Sequence, residues 1–215
     1  MKIYVLRHGE TVLNSKGVLQ GQSNSELNEN GVKLAELTGE ALSDIKFDVC
    51  FSSPLIRAYK TAELILSKNK HDVPDIITDK RIIEMSFGRW EGKGFTDKNF
   101  ELPERFKMFY VDMFKFENDE EGESTEDILN RTRDFFLEVV NNKEYLDKNI
   151  LVVCHGVAMR ALLNNVYEDK MDFWHGGVPH NLALNIIEVN DGDIKLIGED
   201  LIFYDQSKIN NLFKK

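Results

Sequence analysis

At 215 residues the chain has the length of one ordinary domain, enough to bury a core without disulfides or metals. Hydrophobic residues at 42% and charged residues at 30% fit a soluble globular protein, and 37 acidic against 27 basic residues give a formal net charge of −10. That balance argues against a nucleic-acid or anionic-membrane partner, since either needs Lys and Arg in excess on one face; an anion site here must come from a few focused Arg and His side chains. The two cysteines, Cys50 and Cys154, sit inside apolar runs and read as small buried core residues, not as a disulfide framework. No window approaches the roughly 20 apolar residues of a membrane span. The short apolar stretch behind Met1 is broken at Arg7 and His8, too soon for a secretion signal, so the chain reads as cytoplasmic.

Taken in chain order, residues 2 to 6 form an apolar run that predicts a buried strand ending at Arg7-His8-Gly9. Residues 29 to 43 carry Val32, Leu34, Ala35, Leu37, Ala41 and Leu42, an amphipathic helix pattern with Asn28 or Asn30 as cap. Residues 47 to 51 read as a second buried strand, and Ser52-Ser53-Pro54 predicts a helix running to about Leu66, with Ser53 at the cap and Pro54 in the first helical position. Residues 85 to 124 differ in character: they are crowded with Phe and other aromatics, end in the acidic run Glu117 to Glu123, and read as a helical insertion over one edge of the sheet, its aromatics more core than cofactor box. A helix over 125 to 140, a third buried strand over 150 to 154 and a helix over 157 to 166 follow. Two last strands, 183 to 189 and 194 to 197, flank Asn190-Asp191-Gly192-Asp193, a hairpin signal. The alternation predicts an α/β fold, a three-layer α/β/α sandwich whose mostly parallel sheet carries one antiparallel strand, in a single domain over 1 to 215.

Three strand ends are chemically alike: Arg7-His8-Gly9, Ser52-Ser53-Pro54 with Arg57 three residues on, and His155-Gly156. Ligands of open α/β sheets bind outside the carboxyl ends of the parallel strands. Were these strands neighbours, Arg7, His8, Arg57 and His155 would meet. Two fork-shaped, permanently charged guanidiniums suit a phosphate, and two imidazoles suit a nucleophile and a donor. Gly9 and Gly156 would let an anion approach the backbone. No two histidines stand at i, i+4 or in a Cys-x-x-Cys or His-Glu-x-x-His setting, and the arginines beside them would repel a divalent cation, so neither a metal nor another cofactor is called for. His71, between Lys70 and Asp72, reads as exposed; His175 lies in a short loop with His180, which is balanced between a substrate contact and an incidental residue.

The run Leu6-Arg7-His8-Gly9-Glu10-Thr11 resembles the signature of the histidine phosphatase superfamily, the phosphoglycerate-mutase-like family. The likeness continues through Asn14, Leu19-Gln20-Gly21, Ser52-Ser53-Pro54-Leu55, Arg57-Ala58, Thr61-Ala62, Glu84, Phe87-Gly88, Trp90-Glu91-Gly92 and Val153-Cys154-His155-Gly156, and more weakly through Pro179 to Leu184. What the resemblance implies is a phosphohistidine on His8, phosphoryl oxygens held by Arg7, Arg57 and His155, and Glu84 as the proton donor that afterwards activates water. It further implies that Asn14, Gln20, Gly21, Gly156 and Asn181 contact a small phosphorylated substrate.

Within that family the stretch Val12 to Gly21 lacks the tryptophan of the cofactor-dependent mutases, and the insertion holds only Pro103 where theirs is Pro-rich. Both features favour a phosphatase, and Leu19-Gln20-Gly21-Gln22 resembles the broad-specificity and α-ribazole phosphatase branches; a phosphoglycerate mutase and a non-catalytic phosphate-binding module are the alternatives. The aromatic insertion suggests an apolar or ring-shaped leaving group, and its acidic run would disfavour polyanions such as bisphosphates.

Overall fold

The computed structural model describes residues 1 to 204. Its elements in order are β1 (Lys2–Arg7), α1 (Val12–Ser15), α2 (Glu29–Ala41), β2 (Val49–Ser52), α3 (Ile56–Ser67), β3 (Ile76–Thr78), β4 (Phe95–Thr96), β5 (Asn99–Phe100), α4 (Met108–Val111), α5 (Thr125–Asn141), β6 (Asn149–Cys154), α6 (Gly156–Leu163), β7 (Leu184–Asn190) and β8 (Asp193–Leu201). Six strands form one sheet in the order β3-β2-β6-β1-β7-β8. β3, β2, β6 and β1 are parallel, β7 runs against β1, and β8 returns antiparallel to β7. One strand therefore runs against the grain of the sheet, as the sequence predicted.

Alternation of side chains along the strands builds two cores, one on each face. Ile3 and Val5 of β1, with Ile150 and Val152 of β6, face α5, α6 and the insertion. Tyr4 and Leu6, with Leu151 and Val153, face α2 and α3. Buried on both faces, these central strands read as unbroken apolar runs, which is why they were legible. The helices also follow local chemistry. Asn28 caps α2 by accepting from the Gly31 N–H, and Ser124 forms a reciprocal cap with Asp127 at the start of α5. At the final hairpin Asp191 and Gly192 both take positive φ, as its two-residue turn requires.

Several details differ from the sequence reading, among them α1, which had no counterpart, and β8, which runs to Leu201 instead of 197. α3 starts at Ile56, with Leu55 as its cap residue, because Leu55 is still extended at φ −68° and ψ 135°; the Ser53 hydroxyl meets the Leu55 N–H and His155. α6 ends at Leu163, three residues before Val166. β3 was not foreseen: a three-residue edge strand with two exposed positions has no buried run to betray it. The insertion is made of single helical turns and the two-stranded β4-β5 hairpin, held by a cluster of Phe87, Trp90, Phe106, Phe109 and Phe116 rings. Cys50 and Cys154 are buried free thiols, and no helix among the described residues is long and apolar enough to cross a membrane.

Candidate active site

The parallel register brings the three strand ends together. Arg7 pairs with Cys154 and Ser52 with Val153, while the His8 N–H donates to the Cys154 carbonyl at 3.0 Å and the Ser53 N–H to the Val153 carbonyl at 2.9 Å. Above them opens a cleft lined at its floor by Arg7, His8, Asn14, Gln20, Arg57 and Glu84.

His8 is 2% exposed. Its Nδ1 lies 2.7 Å from the Gly9 carbonyl oxygen, an atom that can only accept, so the ring proton sits on Nδ1 and Nε2 keeps a free lone pair. Burial and the positive charges of Arg57 and Arg7 hold the ring well below its ordinary pKa of 6.5, so it is neutral at physiological pH. Gly9 does not line the cleft. Its N–H donates to the Thr61 hydroxyl, and a side chain there would meet the Gly31 carbonyl of α2 at 2.9 Å. Its small size serves packing, not access to an anion.

Two guanidiniums flank the imidazole. Arg7 Nη1 donates to the Pro179 carbonyl, while Arg7 Nε is the one buried side-chain nitrogen among the described residues without a partner. A Cβ at Gly156 would stand 3.6 Å from that nitrogen, so glycine keeps the edge of Arg7 open toward the cleft. Arg57, 1% exposed, donates from Nη2 to Gly21 O at 2.6 Å, from Nη1 to Ser23 O at 2.8 Å and from Nε to His155 Nδ1 at 3.2 Å. Burial lowers the Arg57 pKa to about 10, opposed by the Glu84 carboxylate. Burial likewise lowers that of Arg7, against the same carboxylate. Both remain cations at neutral pH. A chain of net charge −10 thus builds a local positive floor from two side chains.

Glu84 is pinned at both ends. Its carboxylate accepts from the N–H groups of Met85 at 2.9 Å, Ala158 at 3.1 Å and Val157 at 3.3 Å, and its carbonyl accepts from Gln22 and Arg131. Asn14 spends Oδ1 on the Thr11 N–H and hydroxyl, which leaves its amide NH₂ as the group offered to the cleft. Gln20 lies on the Thr11 hydroxyl at 2.9 Å and lines the same floor, with Gly21 beside it.

Two expected contacts are placed differently. His155 is fully buried and does not line the cleft: Nδ1 accepts from Arg57, and Nε2 donates to the Ser53 hydroxyl at 2.7 Å. Its ring lies 5.1 Å from that of His8, so it stands behind Arg57 instead of offering a hydrogen to an anion. Burial, then the charge of Arg57, holds it well below the ordinary histidine value, in keeping with a neutral ring. Asn181 also stays out of the cleft, since its NH₂ group holds the His8 carbonyl at 2.9 Å. His71 is exposed and His180 does not line the cleft.

Val18, Leu19, Phe87, Phe95, Phe109, Tyr110, Val157, Trp174 and Val178 form the outer wall. The aromatic part of the insertion is therefore at the cleft, but no residue of 117 to 123 lines it. Asp119 pairs with Arg89 within the insertion and Glu123 with Arg131 of α5, so part of the acidic run braces the fold, and none of it stands in the cleft to repel a polyanion. Sequence reasoning missed Trp174 and Val178, which sit in a loop without periodicity, and Ser53 as the partner of His155. Among the described residues no group of His, Cys, Asp and Glu is arranged to hold a metal ion.

Comparison with known proteins bears on this geometry. Residues 3–199 match the model of the histidine phosphatase superfamily, branch 1. Phosphoserine phosphatase 1 of Hydrogenobacter thermophilus is 33% identical over 193 residues, covering 89% of this chain and 88% of the relative. Bacillus stearothermophilus YhfR superposes with a TM-score of 0.81 at 27% identity, over 91% of this chain and 95% of that one. A phosphoserine phosphatase from Entamoeba histolytica, solved as a mutant with phosphoserine, gives 0.76 at 26% identity over 93% and 96% of the two chains. With its sheet order, its cleft and a match across nearly its whole length, the chain belongs to the histidine phosphatase superfamily and is an enzyme of the phosphoglycerate mutase family.

Proposed function

We propose that this chain is a metal-independent phosphomonoester hydrolase that works through a phosphohistidine on His8. The observation that carries the reading is the His8 ring, its Nδ1 proton fixed on the Gly9 carbonyl and its Nε2 lone pair left at the cleft between two buried guanidiniums. Nε2 attacks phosphorus in line; the N–P bond forms as the ester P–O bond breaks, and Glu84, which enters this half as the carboxylic acid, gives its proton to the departing alkoxide and is left as the carboxylate. In the second half Glu84 takes a proton from water, the water oxygen bonds phosphorus, the N–P bond breaks, and inorganic phosphate leaves with His8 neutral again. Arg7 and Arg57 meet the charge spread over the equatorial oxygens, with Asn14 adding an amide donor. The same two cations supply the positive charge a metal would otherwise provide. His155 contributes by holding Arg57. The outer wall of aromatic and aliphatic side chains favours a leaving alcohol with an apolar or ring-shaped body, while relatives named as phosphoserine phosphatases support the reaction class.

The test is turnover of p-nitrophenyl phosphate in EDTA beside the His8→Ala variant, with aryl, nucleoside and sugar phosphates run in parallel. Turnover that survives EDTA and is lost in the variant supports the reading. Absence of turnover and of an acid-labile phosphoenzyme would leave a binding module. Interconversion of 2- and 3-phosphoglycerate faster than phosphate release would make the chain a mutase. A higher kcat/KM for a sugar bisphosphate than for aryl esters would overturn the leaving-group assignment.

A further inference from the structure

Glu91 lies in the motif Trp90-Glu91-Gly92, outside the reacting groups, yet its carboxylate is among the most fully engaged in the molecule. Oε1 accepts from the N–H groups of Gln22 at 3.0 Å and Phe87 at 3.1 Å. Oε2 accepts from the Ser23 N–H at 2.9 Å and the Ser23 hydroxyl at 2.6 Å. Gly21 is fitted to this carboxylate: its φ is +53°, and a Cβ there would fall 2.1 Å from Glu91 Oε1.

The carbonyls of the same short loop point the other way. Gly21 O and Ser23 O accept from the two terminal nitrogens of Arg57. The peptide joining Gly21 to Gln22 therefore has the Arg57 cation on its oxygen and the Glu91 anion on its N–H. Its dipole is aligned with both charges, and each bond polarises the other. A buried guanidinium needs a compensating charge. A carboxylate bonded directly to Arg57 would occupy the fork a phosphoryl group must use, and would repel that group at contact distance. Held one peptide away, the anion steadies the cation and keeps clear of the cleft, which Glu91 does not line. Its charge also acts on Arg57 in the direction that opposes desolvation.

We infer that Glu91 is the positioning counter-charge of Arg57, acting through the Gly21–Gln22 peptide and the Ser23 backbone, and that it sets how tightly the cleft holds a phosphate whatever the leaving group. The inference rests on the proposed reading of the floor as a phosphate site, and inorganic phosphate is the probe that separates the two. Competitive inhibition by phosphate is measured on wild type, Glu91→Gln and Glu91→Asp, with thermal unfolding recorded for each. Glu91→Gln keeps the shape and loses the charge; its inhibition constant is expected to rise about tenfold, with an equal fall in kcat/KM for aryl and alkyl esters alike, as for the loss of one charge-assisted contact. Glu91→Asp keeps the charge and is expected to lie closer to wild type. A folded Gln variant that matches wild type, or one that outperforms Asp, overturns the inference. If wild type itself is not inhibited by phosphate, the site reading falls with it. Should Glu91→Gln not fold, Ser23→Ala, which removes the shortest bond to the carboxylate, is expected to weaken phosphate inhibition about threefold, and an unchanged constant counts against the inference in the same way.

Discussion

At the floor of the cleft every nitrogen of Arg57 has a named acceptor and the Glu84 carboxylate meets three backbone donors, whereas at the outer wall Phe87, Phe109 and Trp174 are held chiefly by ring contacts with Phe106 and with each other. The floor is fixed by directional bonds to strand ends and helix starts that the sheet itself sets in place. The wall is fixed by packing of a segment the sheet does not contain. Directional networks tolerate little displacement, because a broken bond leaves a buried polar group unmatched. Packed aromatic surfaces tolerate exchange if volume is kept. Variants of the floor residues that hold the phosphoryl group should therefore impair every substrate alike, a variant of the proton donor Glu84 should act in proportion to the leaving group's need for a proton, and wall variants should alter preference or stability.

Glu84→Gln gives the largest effect expected. On the acid role, kcat/KM for alkyl phosphates should fall by about 10²–10⁴, and less for p-nitrophenyl phosphate, whose leaving group needs no proton; an equal loss for both would remove Glu84 from the acid role. Phe106→Ala empties the centre of the insertion cluster, where the residue is 0% exposed, and should cost about 3–5 kcal/mol in denaturant unfolding. If the folded fraction then keeps its kcat for p-nitrophenyl phosphate, the separation of wall from floor is sharpened. Arg57→Lys keeps the charge but loses the fork that spans Gly21, Ser23 and His155, and should lower kcat/KM on the order of 100-fold for all leaving groups; a loss confined to one substrate class would break the comparison.

Acid stability follows from the two buried histidines, His8 and His155, both held well below 6.5 in the fold. As pH drops under 6.5 the unfolded chain binds protons that the folded one refuses, so stability decreases toward acid, by up to about 1.4 kcal/mol per pH unit for each histidine. The stability lost lies between 6.5 and the depressed folded values. Thermal unfolding between pH 7.5 and 5.5 should show this slope, and His8→Ala should flatten it; an unchanged slope would mean His8 titrates alike in both states. Smallest of all, Tyr110→Ala should raise KM for aryl esters a few-fold, about 1 kcal/mol for a lost ring contact, and leave phosphate inhibition untouched.

Much of the site was legible because its chemistry sits beside unmistakable local signals. His8, Arg7 and Arg57 follow or flank buried strands, and the sheet order that joins them is the ordinary outcome of alternating strands and helices. His155 was legible as a residue of the site but not in its bearing. Which way an imidazole faces depends on Arg57 and Ser53, 98 and 102 residues away in the chain, and no local pattern encodes that. Asn181 is similar, its amide turned to the His8 backbone. Trp174 reaches the cleft because its indole N–H finds the Phe109 carbonyl, again a partner distant in sequence.

The sequence by itself determined the buried central strands, the longer helices and the identity of the nucleophile's neighbours, since burial patterns and caps are properties of a few adjacent residues. Only the tertiary structure decided which hydrogen bonds each side chain makes, and so which groups face the cleft: Asn14 and Gln20 inward, His155 and Asn181 behind, Glu91 at the far end of a shared peptide. The physical reason is that a buried polar group is satisfied by whatever donor or acceptor the fold brings near it, and that pairing is long-range by nature.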